Sequence, residues 1–445
     1  MHKNQIYVTL VLCIVPIIIC VVMDISLVYA FLLSNTFSCL MCIKNGISFK
    51  DIKSMVFGGI NECKSLYIVI LLIGATVSVW LSSGVVPTMI YYGLEYMKGM
   101  NFLFASFIMI SISSIFMGTA VGTISTIGVA IIGIGKGFGI PTHVLVGVIV
   151  SGAFLADKIS PISGLLNLTL TTTEITYKEA IKSAIYTILP TMIICAIIYY
   201  FIGVKYQGTE GASTSIGLTK AISSEFFMSP YLLLLPILII VLSVVGLKSI
   251  YCMWVGVMGG GIVSIIYQRT SILELLNYIF FGFDLSTNSK VLNETLVSGG
   301  VISMVSVVLI VIGAIALSSI LQGSGIINYL TKEMIEKISN RKELILKTGI
   351  ISSTLTFITC DQTIGIVIPS RLLKSKYKEM GVNNNILART ISDTGTIIAP
   401  LMPWNINALI ITLVTGVSCV EYAPFAILCF IAPMITTLFA FNNKI

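Results

Sequence analysis

Long apolar stretches separated by short polar ones run through almost the whole chain. Ten stretches without a charged side chain stand out: Asn4–Met23, Ile25–Ile43, Ser65–Leu94, Gly99–Gly135, Ser183–Val204, Phe226–Leu247, Ser249–Gln268, Thr295–Thr331, Thr394–Val420 and Tyr422–Asn443. A helix needs about 20 such residues to cross a hydrocarbon core of about 30 Å, and several stretches hold a helix plus a turn. The pattern predicts an all-α polytopic membrane protein with about 11–13 membrane segments, counting broken helices and re-entrant hairpins. Composition agrees: 10% of the 445 residues are charged, where soluble domains carry about 25%, so no large soluble domain is left over. The net charge of +7 is loop charge, which argues against a nucleic-acid partner. The first apolar run follows Lys3 as in a signal peptide, yet it ends at Asp24 without a small-residue cleavage site and another span follows at once. It reads as a retained helix. Lys3 and the four lysines of Lys44–Lys64 then share one side, and the positive-inside rule places the N-terminus in the cytoplasm. Lys332–Lys347 and Arg371–Lys378 read as cytoplasmic for the same reason.

One stretch breaks the apolar pattern with chemistry: Ser151–Asn167, SGAFLADKISPISGLLN. The uncharged run His143–Ala156 that leads into Asp157 and Lys158 would cover only about 21 Å as a helix. Ser160-Pro161, Ser163-Gly164 and Asn167 interrupt the segment beyond, so a half-membrane hairpin is expected here. Broken backbone at membrane depth is tolerated where it is buried in protein or lines a watery cavity, and an ionisable residue there is a functional-site candidate. A second such break comes later, Asp393-Thr-Gly-Thr-Ile-Ile-Ala-Pro-Leu-Met-Pro-Trp-Asn405. The approaches to the two breaks match. The interval from Gly84 to Gly128 nearly equals that from Gly323 to Gly365, and Asp157 and Asp393 then follow after nearly equal further intervals. Similar halves with interrupted hydrophobic segments at matching places mark a secondary transporter with its site at the repeat interface. The chain divides accordingly into an N-terminal helical hairpin and basic loop (1–64), a first repeat (65–206), middle spans and loops (207–298) and a second repeat (299–445). About three middle spans between the halves would make the repeats inverted.

Asp361 is the sole charge in the long run Thr348–Ser370. Asp393 follows Arg389, so pairing, helix capping and function are all open to it. Carboxylates ligate a hard cation through oxygen and take a proton instead, so the two compete for one buried group. Unwound carbonyls and the hydroxyls of Thr123, Thr126, Ser160, Ser163, Thr394 and Thr396 suit the rest of such a shell. Lys158 either balances Asp157 or extends its ammonium to the interface. Gly118–Gly122 and Ile134–Gly139 lack the strand and the GK[ST] ending of a phosphate loop; their glycines break a helix or permit close packing. The ten cysteines sit mostly singly, Cys39 and Cys42 lack a second pair, and His2 and His143 are isolated. With no nucleophile or metal cluster, a membrane-embedded enzyme is disfavoured.

These residues resemble the NhaC-type Na+/H+ antiporter family over roughly 65–206 and 299–441. The resemblance rests on Gly118-Thr-Ala-Val-Gly-Thr-Ile-Ser-Thr-Ile-Gly128, Ser151-Gly-Ala-Phe-Leu-Ala-Asp-Lys-Ile-Ser-Pro161, Asp361-Gln362, Asp393-Thr-Gly-Thr396, Pro403-Trp-Asn405 and Glu421-Tyr422. It implies a secondary antiporter of the wider ion-transporter superfamily: a homodimer in the plasma membrane, not an enzyme, with Na+ and H+ as coupling ions and no other cofactor. It implies cation or substrate roles for Asp157, Ser160, Asn167, Asp361, Asp393, Thr396 and Asn405, with Thr123, Thr126, Lys158, Ser163, Gln362 and Thr394 in support and Na+ at Asp157 and Asp393. The chain departs from the family pattern at Gly164-Leu165-Leu166-Asn167, where Asp-Thr-Thr-Asn is usual, at Cys360 in place of glycine, and at Ala120-Val121 in place of a Ser-Trp pair. Two expectations arise. One is Na+/H+ exchange by alternating access; the other, favoured by the lost ligands, is cation-coupled exchange of a small organic acid or amino acid, as in the malate–lactate antiporters of the family.

Overall fold

The computed structural model describes residues 3–206, 210–285, 290–336 and 338–441, and every regular element among them is helical. Eight helices are long and apolar enough to cross a membrane, or up to 11 when each of three bent pairs counts as one span, the lower edge of the expected range. Lys3–Val22 and Leu27–Lys44 form the N-terminal hairpin, joined by Ser34 Oγ donating to the Cys13 carbonyl at 2.7 Å.

Element boundaries recur at a nearly constant offset in residue number. Lys64–Ser82 and Gly300–Gly323 end at equivalent places, and the left-handed Gly84 and Gly325 follow at the same offset. Beyond them the offset grows by one and then holds. Helices end at Met117 and Thr359, and helices begin at Ala120 and Gln362, Thr142 and Asn384, Gly164 and Ile406, Tyr177 and Cys419. Two capping boxes obey it as well, Thr176 with Glu179 and Ser418 with Glu421. Each box satisfies helix N–H groups that have no partner within the helix.

Lys64–Ser82 and Gly300–Gly323 lie side by side in opposite directions. Ser78 Oγ, near the end of the first, is 2.7 Å from Ser298 Oγ, just before the second, while Gly59, ahead of the first, lies against Ser319 near the end of the second. Gly74 makes this approach possible, because a Cβ there would run into the Gly300 backbone and Met304.

Each half holds a helical hairpin. Phe102–Met117 turns through Gly118 (φ 73) into Ala120–Gly137, and the Phe102 and Phe138 rings meet at its base with centroids 5.2 Å apart. Arg341–Thr359 turns through Cys360 (φ 61) into Gln362–Glu379, held by Ser352 Oγ donating to the Gly365 carbonyl at 2.6 Å and by Thr348 Oγ1 3.0 Å from Tyr377 OH. A left-handed residue closes both turns; glycine does so freely, whereas Cys360 costs about 1 kcal/mol.

The hairpin expected at Ser151–Asn167 has a different form. Thr142–Ala153, the single turn Ala156–Ile159 and Gly164–Thr173 run on as one broken crossing of 32 residues, long enough for the membrane once both helical parts are counted. The fold-back falls instead at Gly118–Thr119 and Cys360–Asp361. Asn384–Leu401 and Ile406–Thr415 form the matching break, bent by 44°. Each break docks on the tip of its own half's hairpin. Ser160 Oγ donates to the Ile115 carbonyl at 2.5 Å, and Trp404 Nε1 donates to the Phe357 carbonyl at 3.0 Å; these two acceptors again obey the offset that relates Ala120 to Gln362.

Candidate functional site

Both hairpin tips and both breaks meet at a cavity of about 520 Å³. Equivalent positions of the halves line it in pairs: Thr119 with Asp361, Ala120 with Gln362, Val121 with Thr363, Gly164 with Ile406, Leu165 with Asn407. The geometry is shared and the chemistry is not. The second half supplies a carboxylate, two amides and a hydroxyl; the first supplies the carboxylate of Asp157 and the hydroxyls of Thr76, Thr119 and Thr126 among mostly apolar surface. Glu62, Cys63 and Ser65 stand at its edge and Ser243, Cys252 and Met253 come from the middle spans. None of the lining residues is lysine or arginine, and Glu62, Asp157 and Asp361 are acidic.

Asp157 sits on the turn Ala156–Ile159, between two helical parts, and only 6% of it is exposed. Ser163 Oγ donates to its Oδ1 at 3.3 Å, and the backbone N–H of Ala120 at the hairpin tip donates as well. It has no cationic partner among the described residues. Lys158, one residue on, faces the other way. Its ammonium forms an ion pair with Asp393 of the second half and donates to Thr187 Oγ1 at 3.3 Å. Neither reading made from the sequence, balancing Asp157 or reaching the interface, describes it.

Asp393 lies in a wide π-helical turn, Ser392–Thr396, and takes a second hydrogen bond on Oδ2 from Thr436 Oγ1 at 2.6 Å. Such turns leave backbone groups free and gather at functional sites; Thr126 lies in another, Ile124–Gly128. The offset between the halves places Asp393 opposite Ser151, and Asp361 opposite Thr119. The pairing of Asp157 with Asp393 suggested by motif spacing is therefore not the pairing of element boundaries.

Asp361 caps Gln362–Glu379 by accepting the Thr363 N–H at 3.0 Å, and its side chain lines the cavity. Gln362 Nε2 donates to the Thr396 carbonyl at 2.6 Å, and Asn407 Nδ2 donates to Gln362 Oε1 at 2.9 Å and Asn405 Oδ1 at 3.0 Å. Asn405 thus caps the second post-break helix behind the wall, where its Nδ2 and Thr396 Oγ1 are buried without a partner. Ser160 and Ser163 hold the first break in shape. Asn167 is exposed and ties the break's own carbonyls, Pro161 at 3.2 Å and Ser163 at 2.9 Å. Thr123 back-bonds to the Thr119 carbonyl, and Thr394 lines a separate cavity. So Asp157, Thr126, Asp361 and Gln362 share the cavity; Ser160, Asn167, Asp393, Thr394, Thr396 and Asn405 do not line it. Thr119, Asn407, Thr187 and Thr436 escaped the sequence reading. The first two carry a signal, since Thr119 follows Gly118 as Asp361 follows Cys360, and Asn407 lies just beyond Asn405. No group of three His, Cys, Asp or Glu among the described residues could hold a resident metal.

A membrane-embedded cavity where two matching halves meet, with a buried carboxylate lacking a cation, defines a secondary transporter. The comparisons narrow the class. Residues 165–444 match the Na+/H+ antiporter family, and the chain belongs to it. It is 27% identical over 425 residues to the malate-2H+/Na+-lactate antiporter of Bacillus subtilis (strain 168), covering 95% of this chain and 91% of that protein. It is 29% identical over 396 residues to the Na+/H+ antiporter NhaC of Alkalihalophilus pseudofirmus, covering 89% and 86%. It is 24% identical over 398 residues to the arginine/ornithine antiporter ArcD of Halobacterium salinarum, covering 89% and 81%. These relatives are named as antiporters and none as an enzyme.

Proposed function

We propose that the protein exchanges Na+ for H+ across the plasma membrane by alternating access, with Asp157 as the group for which the two ions compete. The observation that carries this reading is the state of Asp157 beside that of Asp393. Asp393 is neutralised by Lys158; Asp157, similarly enclosed, has only two neutral donors. Leaving a buried carboxylate uncompensated costs several kcal/mol, so a cation or a proton completes it. One group that holds either but not both couples the two fluxes. The antiparallel course of Lys64–Ser82 and Gly300–Gly323 supports an inverted repeat, in which rocking of one half against the other exposes the cavity to each side in turn. The test is reconstitution into proteoliposomes with an imposed Na+ gradient and a pH-sensitive dye inside. Proton movement that needs Na+ supports the reading; its absence, in protein shown to be folded, refutes it.

A second reading is favoured by space. A cavity of about 520 Å³ far exceeds the room a single ion needs, and a Cβ on Gly164 would meet nothing within 4 Å. Ala120, Val121 and Leu165 offer apolar surface facing the amides of Gln362 and Asn407. An organic substrate with a polar head and a small apolar body suits those two walls. With no basic residue in the lining, an organic anion would enter together with the cation. Uptake of malate, lactate, arginine and ornithine in the same proteoliposomes separates the readings.

A further inference from the structure

A second cavity, of about 410 Å³, is lined in part by Thr394, next to Asp393 in the chain, and by Thr436, which bonds Asp393; Lys158 does not line it. Its lining includes six hydroxyl residues: Ser353, Thr354, Thr390, Thr394, Thr436 and Thr437. Three of them are satisfied within their own helices, Thr390 on the Ile386 carbonyl, Thr394 on the Thr390 carbonyl and Thr437 on the Pro433 carbonyl. Thr436 is different. It turns from its helix and donates to Asp393 Oδ2 at 2.6 Å, so one hydroxyl both lines this cavity and touches the fully buried carboxylate.

The corresponding place in the first half is filled. By the offset that relates the halves, Gly349 answers to Phe107, Thr354 to Ile112, Thr390 to Val148 and Thr394 to Gly152. Phe107 is buried there and packs on Tyr199 with ring centroids 5.0 Å apart, and Tyr199 OH is 2.5 Å from Ser151 Oγ, where the second half has Asp393. The first half carries a neutral hydroxyl beside the buried rings of Phe107 and Tyr199; the second carries a carboxylate beside a hydroxyl-lined groove. Packing alone gives no reason for that difference, since filling the place with rings is the better packed arrangement.

We infer that this groove is a water-filled access route to Asp393, separate from the main cavity, through which water and a small monovalent cation or hydronium reach that carboxylate. Ile345 and Leu346 bring one end of the groove close to the basic stretch Arg341–Lys347 of the second hairpin, and Ile350, 53% exposed, stands on its open side. Asp157 and Asp393 then meet solvent by different routes, with the Lys158–Asp393 pair as the partition between them. The inference rests on the antiporter reading for its purpose but not for its test.

The test is thiol accessibility in the full-length protein in vesicles, with the native cysteines as background. Ser353→Cys is compared with Ile193→Cys, which is 50% exposed on the helix Tyr177–Val204, away from the groove. A charged, membrane-impermeant methanethiosulfonate is expected to label Ser353→Cys about tenfold faster or more, because only a hydrated thiol ionises to the reactive thiolate. Equal slow labelling by that reagent, with both sites open to a lipid-permeant maleimide, means that acyl chains fill the groove and overturns the inference. Thr436→Val, which keeps the shape and removes the hydroxyl, is expected to slow exchange at least tenfold while leaving labelling of Ser353→Cys intact; unchanged exchange would overturn the route's link to Asp393. Fast labelling in a protein that exchanges no cation would leave the groove standing and refute only the antiport reading.

Discussion

Removing either member of the Lys158–Asp393 pair is expected to cost far more than removing both. The side chains are 2% and 0% exposed, so neither charge has water to fall back on. Breaking a buried pair by taking one partner away costs about 3–5 kcal/mol, whereas replacing both with apolar groups of similar volume is often neutral or stabilising. The surroundings make the two single changes unequal. Lys158→Met leaves Asp393 with the Thr436 hydroxyl and with Arg389 nearby, which is 3% exposed and whose guanidinium is bonded to the Ser183 carbonyl at 3.4 Å. Asp393→Leu leaves the Lys158 ammonium with Thr187 alone. Lys158→Met should therefore fall near the lower end of that range, about 3 kcal/mol, and Asp393→Leu near the upper end, about 5 kcal/mol. Lys158→Met/Asp393→Leu should return to within about 1–2 kcal/mol of the parent, a coupling energy beyond the usual range of about 0.5–3 kcal/mol for neighbouring residues. Unfolding in mixed micelles of increasing SDS content, followed by circular dichroism, supplies the cycle. Additive costs in the double variant, or two single costs below about 1 kcal/mol, would refute the claim that these charges depend on one another.

Three further outcomes are expected. Asp157→Asn should lower exchange at least about a hundredfold while shifting unfolding by less than about 1 kcal/mol, since no cation is orphaned by the change; wild-type exchange in this variant would move the ion site elsewhere. Gly164→Asp places a second carboxylate in open space on the same cavity wall, so Na+ should be bound more tightly and uptake of any organic anion should fall; isothermal titration and uptake measure the two, and no change in either would place Gly164 outside the site. Gly74→Val forces side-chain atoms into the Gly300 backbone and should destabilise by about 1–3 kcal/mol or more, whereas Gly58→Val, with nothing within 4 Å of its Cβ, should leave the unfolding curve in place.

The membrane class, the all-helical content and the two backbone breaks were legible because each is written locally: in runs without charge, in Ser160-Pro161, in Pro400 and Pro403; that the first break lies in a full crossing was not. Asp361 stood out as a lone charge in an apolar run, and it lines the cavity. Gly118 marked a possible helix break at the first hairpin tip, but the second tip was hidden, because a turn made by one left-handed residue needs no proline and tolerates cysteine, so Cys360 gave no sign of the reversal it makes. The partner of Lys158 was equally hidden, since Asp393 belongs to the other half of the chain and only the packing of the halves brings them together. Motif spacing aligned Asp157 with Asp393 because both precede a proline and an asparagine; the caps Ser163 and Asn405 show the register that the backbone follows.

The turn Ala156–Ile159 joins two charges that answer to different masters. Successive residues on a helix point about 100° apart, so Asp157 faces the cavity while Lys158 grips the opposite half. A single helical turn has almost no internal freedom, which makes the pair a crank: a tilt that reshapes the cavity wall also pulls on the fastening between the halves. A change at Asp157 that alters its bulk and tilts the turn would be felt at the fastening, whereas the isosteric Asp157→Asn would not. The cavity walls around Asp157, Gly164 and Leu165 on one side and Gln362 and Asn407 on the other, take no part in that ion pair.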